Sequence, residues 1–270
     1  MRLGLGSYSL AWAIGVPGHP PARPLTAFDL LDEAARLGLR LVQICDNLPL
    51  TQLSPAELDR FAACARQLNI QVEVGTLGLN PENLRAYLQL ARRFGAPFVR
   101  VVVDAKDDEP TPEEIVIRLQ PLVAEFAAAN VRLAIENHDR LRSGTLAQIV
   151  EQLGPEHVGI CLDTVNSFGS LEGPAVVVET LGRYTLCLHA KDFTIRRVSH
   201  RMGFVLEGCP AGQGQLDLPW LLGELKKSPH PFNVILETWV SPGNTLAETI
   251  DRERAWTEAG TNYLRTLIPN

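Results

Sequence analysis

Four polar side chains with the chemistry of metal ligands each end an apolar run in the second half of the chain. They are Glu136, Asp163, His189 and Glu237. If the runs are neighbouring parallel strands, three carboxylates share one mouth and repel one another unless a cation neutralises them. Three hard oxygen ligands and one imidazole suit Mn²⁺, Co²⁺ or Mg²⁺, with Zn²⁺ as an alternative. The pattern predicts one divalent metal ion, Mn²⁺ in the first place, bound by all four residues.

Strand parity supports this interpretation. The residues two positions earlier share a face with the predicted ligands and are mostly small; they are Ala134, Cys161, Cys187 and Ile235. The alternative is that each polar residue is an ordinary strand end. For any one of them alone that would be the better interpretation, but four in register on consecutive strands favour a site.

The elements that must position these ligands are eight apolar runs alternating with helix signals. Ser54-Pro55 and Thr111-Pro112 each combine a hydroxyl N-cap with a proline at the first helical position, and Thr145 is expected to cap another helix. An open doubly wound sheet fits less well, because no G-x-G-x-x-G follows the first run. The sequence predicts one closed (β/α)₈ barrel over residues 1–270, in a single domain. The predicted strands are 2–5, 39–44, 70–74, 98–103, 131–135, 158–162, 185–188 and 233–236.

Composition excludes several classes of partner. The net charge is −6 and no basic cluster could track a phosphate backbone, so nucleic acid is not expected. Five cysteines without a C-x-x-C pair suit a reducing cytoplasm. Residues 3–22 carry no charge, but glycines and prolines interrupt them, which predicts a strand and a loop rather than a membrane span. The expectation is a cytoplasmic protein without a membrane partner.

Several motifs carry a resemblance to a known family. They are Ile135-Glu136-Asn137-His138, Cys161-Leu162-Asp163-Thr164, His189-Ala190-Lys191-Asp192-Phe193, the glycine-rich segment 208–214, and Leu236-Glu237. Over essentially its whole length the chain resembles the xylose isomerase-like TIM barrels, which include ketose 3-epimerases, hydroxypyruvate isomerase, inosose isomerase and dehydratase, and apurinic endonucleases. The resemblance implies that the four predicted ligands hold the metal and that Glu136 and Glu237 also act as acid/base groups. It also suggests a homodimer.

The chain departs from the family pattern at two places. The position three residues after the metal-ligating Asp is usually His, and here it is Asn166. The earlier strands end in Asp46, Thr76 and Asp104, where apurinic endonucleases have further His ligands. Both departures argue against a trinuclear nuclease and against a two-metal hydride-shift isomerase.

Cationic side chains after the seventh run bear on the substrate. Lys191 shares the face of His189, and Arg196 follows in the long connection 192–216, which its glycines predict to be a mobile lid. If Lys191 and Arg196 point into the mouth, the substrate carries a carboxylate or a phosphate. The alternatives are a solvated loop face for Arg196 and a structural ion pair between Lys191 and Asp192.

Other polar and aromatic residues give weaker signals. Tyr8, Trp12 and Trp239 are candidates for the wall of a sugar pocket, with ordinary packing as the alternative, and Asn166 is a further candidate for substrate binding. Arg100 and Glu73 lie inside predicted strands and are expected to pair in the barrel interior.

Such a site predicts chemistry at carbon next to a carbonyl. A cation that chelates a carbonyl and a neighbouring hydroxyl stabilises an enediolate, and two glutamates can then move a proton. The first hypothesis is a metal-dependent isomerase or epimerase of a small sugar or polyhydroxy oxo-acid. The second is a lyase, a decarboxylase or dehydratase of a sugar-derived keto acid, and the third is a catalytically inactive metabolite-binding barrel.

Overall fold

A computed structural model of the protein describes residues 1–268. The strands in this range are β1 (Leu3–Gly6), β2 (Leu41–Ile44), β3 (Gln71–Leu77), β4 (Phe98–Val102), β5 (Arg132–Glu136), β6 (Val158–Asp163), β7 (Thr185–Ala190), β8 (Asp192–Arg197), β9 (Phe204–Cys209) and β10 (Asn233–Leu236). The α-helices are α1 (Ala11–Ile14), α2 (Ala27–Arg36), α3 (Pro55–Gln67), α4 (Pro81–Phe94), α5 (Pro112–Ala128), α6 (Ser143–Leu153), α7 (Pro174–Leu181), α8 (Leu218–Leu225) and α9 (Leu246–Leu267).

Eight strands close into a parallel barrel in the order β1-β10-β7-β6-β5-β4-β3-β2. This confirms the predicted (β/α)₈ barrel, and every predicted strand overlaps an observed one. Parallel registry places Asp163 of β6 beside His189 of β7, and Ile235 of β10 on the other side of His189. The ends of β5, β6, β7 and β10 therefore meet at one mouth. Among residues 1–268, no helix combines the length and apolarity needed to cross a bilayer.

The barrel has two separate apolar layers. A small cluster fills the interior and consists of Leu41, Phe98, Ala134, Cys161, Leu186, Cys187 and Ile235. A much larger cluster lies between the strands and the surrounding helices. The four residues that strand parity placed on the inner face all belong to the interior cluster, which confirms the predicted alternation.

Helix starts follow the predicted capping with one exception. Ser54 accepts a hydrogen bond from the N–H of Glu57 at the start of α3, and Thr111 does the same at α5. The prediction for Thr145 was wrong, because α6 begins earlier, at Ser143. There the Glu172 carboxylate accepts from the N–H of Ser143 at 2.8 Å, so a distant side chain satisfies the first turn.

The long connection after β7, for which the sequence predicts a mobile lid, contains a β-hairpin that the sequence did not predict. Strands β8 and β9 pair antiparallel over their whole length. The Asp192 carboxylate accepts hydrogen bonds from the backbone N–H groups of Gly212, Gly214 and Leu216, at 2.9 to 3.1 Å. At Gly214 an added Cβ would overlap Asp192 Oδ1, so this contact requires glycine.

Candidate metal centre

The structure brings the four predicted metal ligands together. Glu136 and Asp163 are the last residues of β5 and β6, and Glu237 directly follows β10. His189 of β7 lies at the centre of the group. Its Nδ1 is 3.2 Å from Glu136 Oε2, 3.4 Å from Glu237 Oε1 and 3.8 Å from Asp163 Oδ2. All four side chains are buried at the mouth of the barrel.

The backbone around Asp163 fixes the direction of its carboxylate. Its Oδ1 accepts from the N–H groups of Val165 at 2.8 Å and Asn166 at 2.9 Å. The Asn137 side chain also bonds to both backbone groups of Asp163, accepting from the N–H and donating to the carbonyl. With Oδ1 occupied in this way, Oδ2 faces the other ligands. Asn137, next to predicted ligand Glu136, was not predicted to have this role.

A glycine makes room for Glu237. A Cβ added at Gly6, the last residue of β1, would lie 2.9 Å from Glu237 Cγ, closer than side-chain atoms pack. The bare backbone at Gly6 therefore allows the Glu237 side chain to reach the mouth.

The polar atoms left over fit a divalent cation. Within residues 1–268, His189 Nδ1 and Glu237 Oε1 are buried without a hydrogen-bond partner. Ligand atoms of Glu136, Asp163 and His189 all lie within 4.8 Å of one another. Unpaired buried acceptors are costly. Carboxylate oxygens with one imidazole are a donor set that suits Mn²⁺, Mg²⁺, Co²⁺ or Zn²⁺.

Two cationic side chains, the buried Arg100 and the partly buried Lys191, lie against this acidic cluster. Lys191 Nζ is 2.7 Å from Asp163 Oδ2 and 3.0 Å from Glu237 Oε2. Arg100 of β4 donates through Nε to Glu136 Oε2 and through Nη1 to Asp46 Oδ1 at 2.8 Å. The ion pair between Lys191 and its neighbour in sequence is therefore not the arrangement found.

The predicted pairing of Arg100 with Glu73 was wrong. Arg100 reaches the mouth of the barrel and pairs with Glu136 and Asp46, whereas Glu73 accepts from Gln43 and Asn233 deeper in the interior. Both side chains face inward, as parity predicts, but they lie at different heights along the barrel. The signal that could have revealed the role of Arg100 is a charged residue inside an apolar run, next to the strand that ends in Glu136.

The charges around the cluster shift its pKa values. Burial alone would raise the pKa of Glu136, but three positive charges outweigh it and lower the pKa to about 2; they belong to Arg100, His189 and Lys191. Burial alone would lower the pKa of His189, but Cys161, Glu237 and Glu136 raise it to about 10. The centre of the cluster therefore favours a positive charge, and a metal ion bound there by His189 would take the place of the imidazole proton.

A cavity of about 310 Å³ opens above the cluster. Predicted substrate residues Tyr8, Asn166 and Lys191 line it, together with Arg100 and Glu237. Tyr8 donates its hydroxyl to Asp46 Oδ2 at 2.7 Å, and Asn166 Nδ2 donates to Glu136 Oε1 at 2.9 Å. These side chains are therefore held in place by hydrogen bonds before any ligand binds.

The other predicted substrate residues lie elsewhere. Trp239 lines a neighbouring cavity of about 280 Å³ that also touches Lys191, and its indole N–H donates to the carbonyl of Asp192. The Trp12 indole N–H donates to the carbonyl of Val240, outside the lining of the cavity above the cluster. Arg196 is exposed and pairs with Glu207 at 3.0 Å, because the outer end of β8, residues 195–197, projects into solvent.

Comparison with known proteins finds a matching family model, a named protein of similar sequence and solved structures of similar fold. The family model described as xylose isomerase-like TIM barrel matches residues 31–267. The 3-oxo-isoapionate decarboxylase of Pectobacterium atrosepticum is 33% identical over 271 residues, which cover 100% of this chain and 97% of that protein. The crystal structure of D-psicose 3-epimerase with D-tagatose, from Clostridium cellulolyticum H10, has a TM-score of 0.71 at 16% identity and covers 98% of this chain and 99% of that one.

A further structural neighbour holds a divalent metal. It is a xylose isomerase-like TIM barrel protein from Mycobacterium smegmatis in complex with magnesium, with a TM-score of 0.68 at 13% identity over 97% of each chain. At these identities the two solved structures establish a shared fold.

Proposed function

The chain belongs to the xylose isomerase-like TIM barrel family, as its motifs predict, and from that premise we propose that it is a divalent-metal-dependent decarboxylase of a small sugar-derived 3-oxo acid. The observation that carries the proposal is a pair of cations, the buried Arg100 and the partly buried Lys191, which line the cavity beside the predicted metal ligands. Fixed cations lining a cavity favour a substrate with a carboxylate. The full-length relative that decarboxylates a 3-oxo acid supports the same reaction class.

In the proposed reaction, the predicted metal ligands and the two cationic side chains have separate roles. A divalent cation held by Glu136, Asp163, His189 and Glu237 would act as a Lewis acid toward the 3-oxo group. Arg100 and Lys191 attract the acid and orient it. When the bond to the carboxylate carbon breaks, CO₂ leaves and its bonding electron pair stays on the neighbouring carbon, delocalised onto the oxo oxygen as an enolate. The ammonium group of Lys191 stabilises the negative charge of this enolate. A proton from solvent then binds to the carbon that carried the carboxylate and gives the product.

The contacts of Glu136 argue against an epimerase that needs two free glutamate bases. Arg100 Nε occupies Oε2 of Glu136 and Asn166 Nδ2 occupies Oε1. Of these two glutamates, Glu237 alone keeps a carboxylate oxygen without a hydrogen-bond donor within residues 1–268. Isomerisation by a single base, Glu237, is therefore the second candidate, supported by that free oxygen.

The test is turnover in D₂O. Metal-loaded protein is incubated with sugar-derived 3-oxo acids and with ketoses, while released CO₂ is measured and the products are analysed by NMR. A decarboxylase releases one CO₂ for each substrate consumed, places one deuterium at the carbon that carried the carboxylate, and stops in EDTA.

The controls separate the candidates. Lys191→Met should abolish CO₂ release, whereas Lys227→Met, which changes an exposed lysine paired with Glu224, should leave it intact. Deuterium exchange into a ketose without CO₂ release would replace the proposal with the isomerase. Binding without turnover of any substrate would leave a metabolite-binding barrel.

A further inference from the structure

A chain of buried polar side chains lies behind His189, on the side away from the carboxylates. His189 Nε2 is 2.6 Å from Gln43 Oε1 of β2. Gln43 Nε2 in turn donates to Glu73 Oε2 of β3 at 3.2 Å, and Asn233 Nδ2 of β10 donates to Glu73 Oε1 at 2.7 Å. Strands from both sides of the barrel thus converge on one imidazole.

The contacts of Glu73 determine which atoms donate and which accept in this row of hydrogen bonds. Both oxygens of the Glu73 carboxyl group accept from amide N–H groups, those of Gln43 and Asn233. The amide nitrogen of Gln43 must therefore face Glu73, and its oxygen must face His189. Because an amide oxygen cannot donate, Nε2 of His189 carries a hydrogen whether or not Nδ1 is protonated, and Nδ1 is the ring nitrogen that faces the carboxylate cluster.

The burial of these hydrogen-bonded side chains indicates a role beyond packing. Gln43, Glu73 and His189 are fully buried. A carboxylate in such a place costs free energy, and burial raises the pKa of Glu73 despite its two hydrogen bonds. An apolar side chain at either position would fill the interior without that cost.

We infer that Gln43 and Glu73 are positioning residues that hold His189 with Nδ1 free for a divalent metal ion, an inference that rests on the metal site of the proposed function. Second partners of this kind set the tautomer and the ring orientation of metal-bound histidines, and their loss typically weakens metal affinity about 10- to 100-fold.

The first experiment needs no metal. In the metal-free protein, the Nε2–H of His189 should give a ¹H–¹⁵N imidazole signal that exchanges slowly with solvent, whether or not Nδ1 is protonated. Gln43→Leu should abolish this signal or make it exchange rapidly. An unchanged signal in Gln43→Leu would overturn the inference, and this result does not depend on whether the protein binds metal.

The second experiment measures Mn²⁺ affinity of the metal-free protein by calorimetry. Gln43→Leu should raise the Kd about 10- to 100-fold. The exchange Gln43→Glu/Glu73→Gln keeps the three bonds that link His189, position 43, position 73 and Asn233, although it removes the N–H that Gln43 donates to Cys187 Sγ. The carboxylate introduced at position 43 accepts from His189, while the amide introduced at position 73 donates to that carboxylate and accepts from Asn233. The exchange should therefore recover most of the lost affinity, whereas Glu73→Gln alone should not reach the wild-type value.

The control variant is Thr261→Val, which removes a buried hydroxyl of α9 that donates to the Thr257 carbonyl. It should leave the Mn²⁺ Kd unchanged. Equal Kd values for wild type, Gln43→Leu and the exchanged pair would overturn the inference. If wild type itself binds no Mn²⁺ while the protected Nε2–H signal is present, the proposed function fails and the hydrogen-bonded arrangement of His189 stands.

Discussion

Replacing Arg100 with methionine removes the partner of two carboxylates at the mouth of the barrel. Arg100 and Glu136 are 4% and 1% exposed, so water cannot solvate Glu136 once the guanidinium is gone. Breaking a buried pair by removal of one partner typically costs about 3–5 kcal/mol. We therefore expect Arg100→Met to lower the free energy of unfolding by about that amount in EDTA.

A divalent metal ion should recover part of this loss. Arg100 and the cation would both neutralise Glu136, so the variant attracts the cation more strongly than wild type does. Each tenfold gain in metal affinity narrows the difference in stability by about 1.4 kcal/mol when the site is saturated. The assay is urea unfolding of wild type and Arg100→Met at pH 7, in EDTA and in excess Mn²⁺.

Two further variants make the result interpretable. Arg85→Met removes the partner of Glu125 from an exposed pair and should change stability little, with or without metal. Arg100→Met/Glu136→Gln should be more stable in EDTA than Arg100→Met, because the unpaired charge is gone. A stability difference between wild type and Arg100→Met that is the same in EDTA and in Mn²⁺ would refute the reasoning.

Three other perturbations test separate parts of the structure. Asp163→Asn places an amide N–H₂ where Oδ2 faces the metal site. The Kd of this variant for Mn²⁺, measured by calorimetry, should be more than about 100-fold higher than that of wild type, a larger loss than is typical when a residue that only holds a ligand is removed. A Kd equal to that of wild type would exclude Asp163 as a ligand. Gly6→Ala places a Cβ within 2.9 Å of Glu237 Cγ. It should lower the free energy of unfolding in urea by about 1–3 kcal/mol and should also weaken Mn²⁺ binding. An unaltered Kd for Mn²⁺ would show that Glu237 does not need the space that Gly6 leaves. Burial raises the pKa of Glu253 from 4.5 to about 7, although the N–H groups of Trp12 and Ala13 lower it. Between pH 4.5 and about 7 the carboxyl of Glu253 is therefore protonated in the folded state but ionised in the unfolded state. The free energy of unfolding of wild type should fall by about 3 kcal/mol as the pH rises from 4.5 to above 7. Urea titrations of Glu253→Gln should lack this pH dependence.

The barrel and the positions of its four predicted ligands could be derived from sequence because both depend on local patterns. Apolar runs, N-caps and glycines mark where each strand ends, and strand parity then aligns Glu136 and His189 at one mouth. Partners inside the barrel could not be derived in the same way. Arg100 and Glu73 both face inward, but the stagger between strands decides which partners each one meets, and that stagger is set by closure of the whole barrel.

The hairpin was missed for a related reason. Its two strands pair with each other and not with the barrel, and residues 195–197 at the outer end of β8 are all exposed. Apolar and polar residues therefore do not alternate clearly in residues 192–209, and Arg196 is equally compatible with a loop. Its partner, Glu207, becomes apparent only from the antiparallel registry.

The contacts of Asp192 fix both ends of the segment that contains the hairpin. One carboxylate holds both the start of the segment and its return, through Gly212 and Gly214, so the two points of attachment are fixed independently of what lies between them. Leu206 of β9 nevertheless reaches a cavity that touches Lys191. A change of side chain in the outer part of the hairpin is therefore expected to alter the wall of that cavity while the contacts of Asp192 with the ends of the segment remain in place.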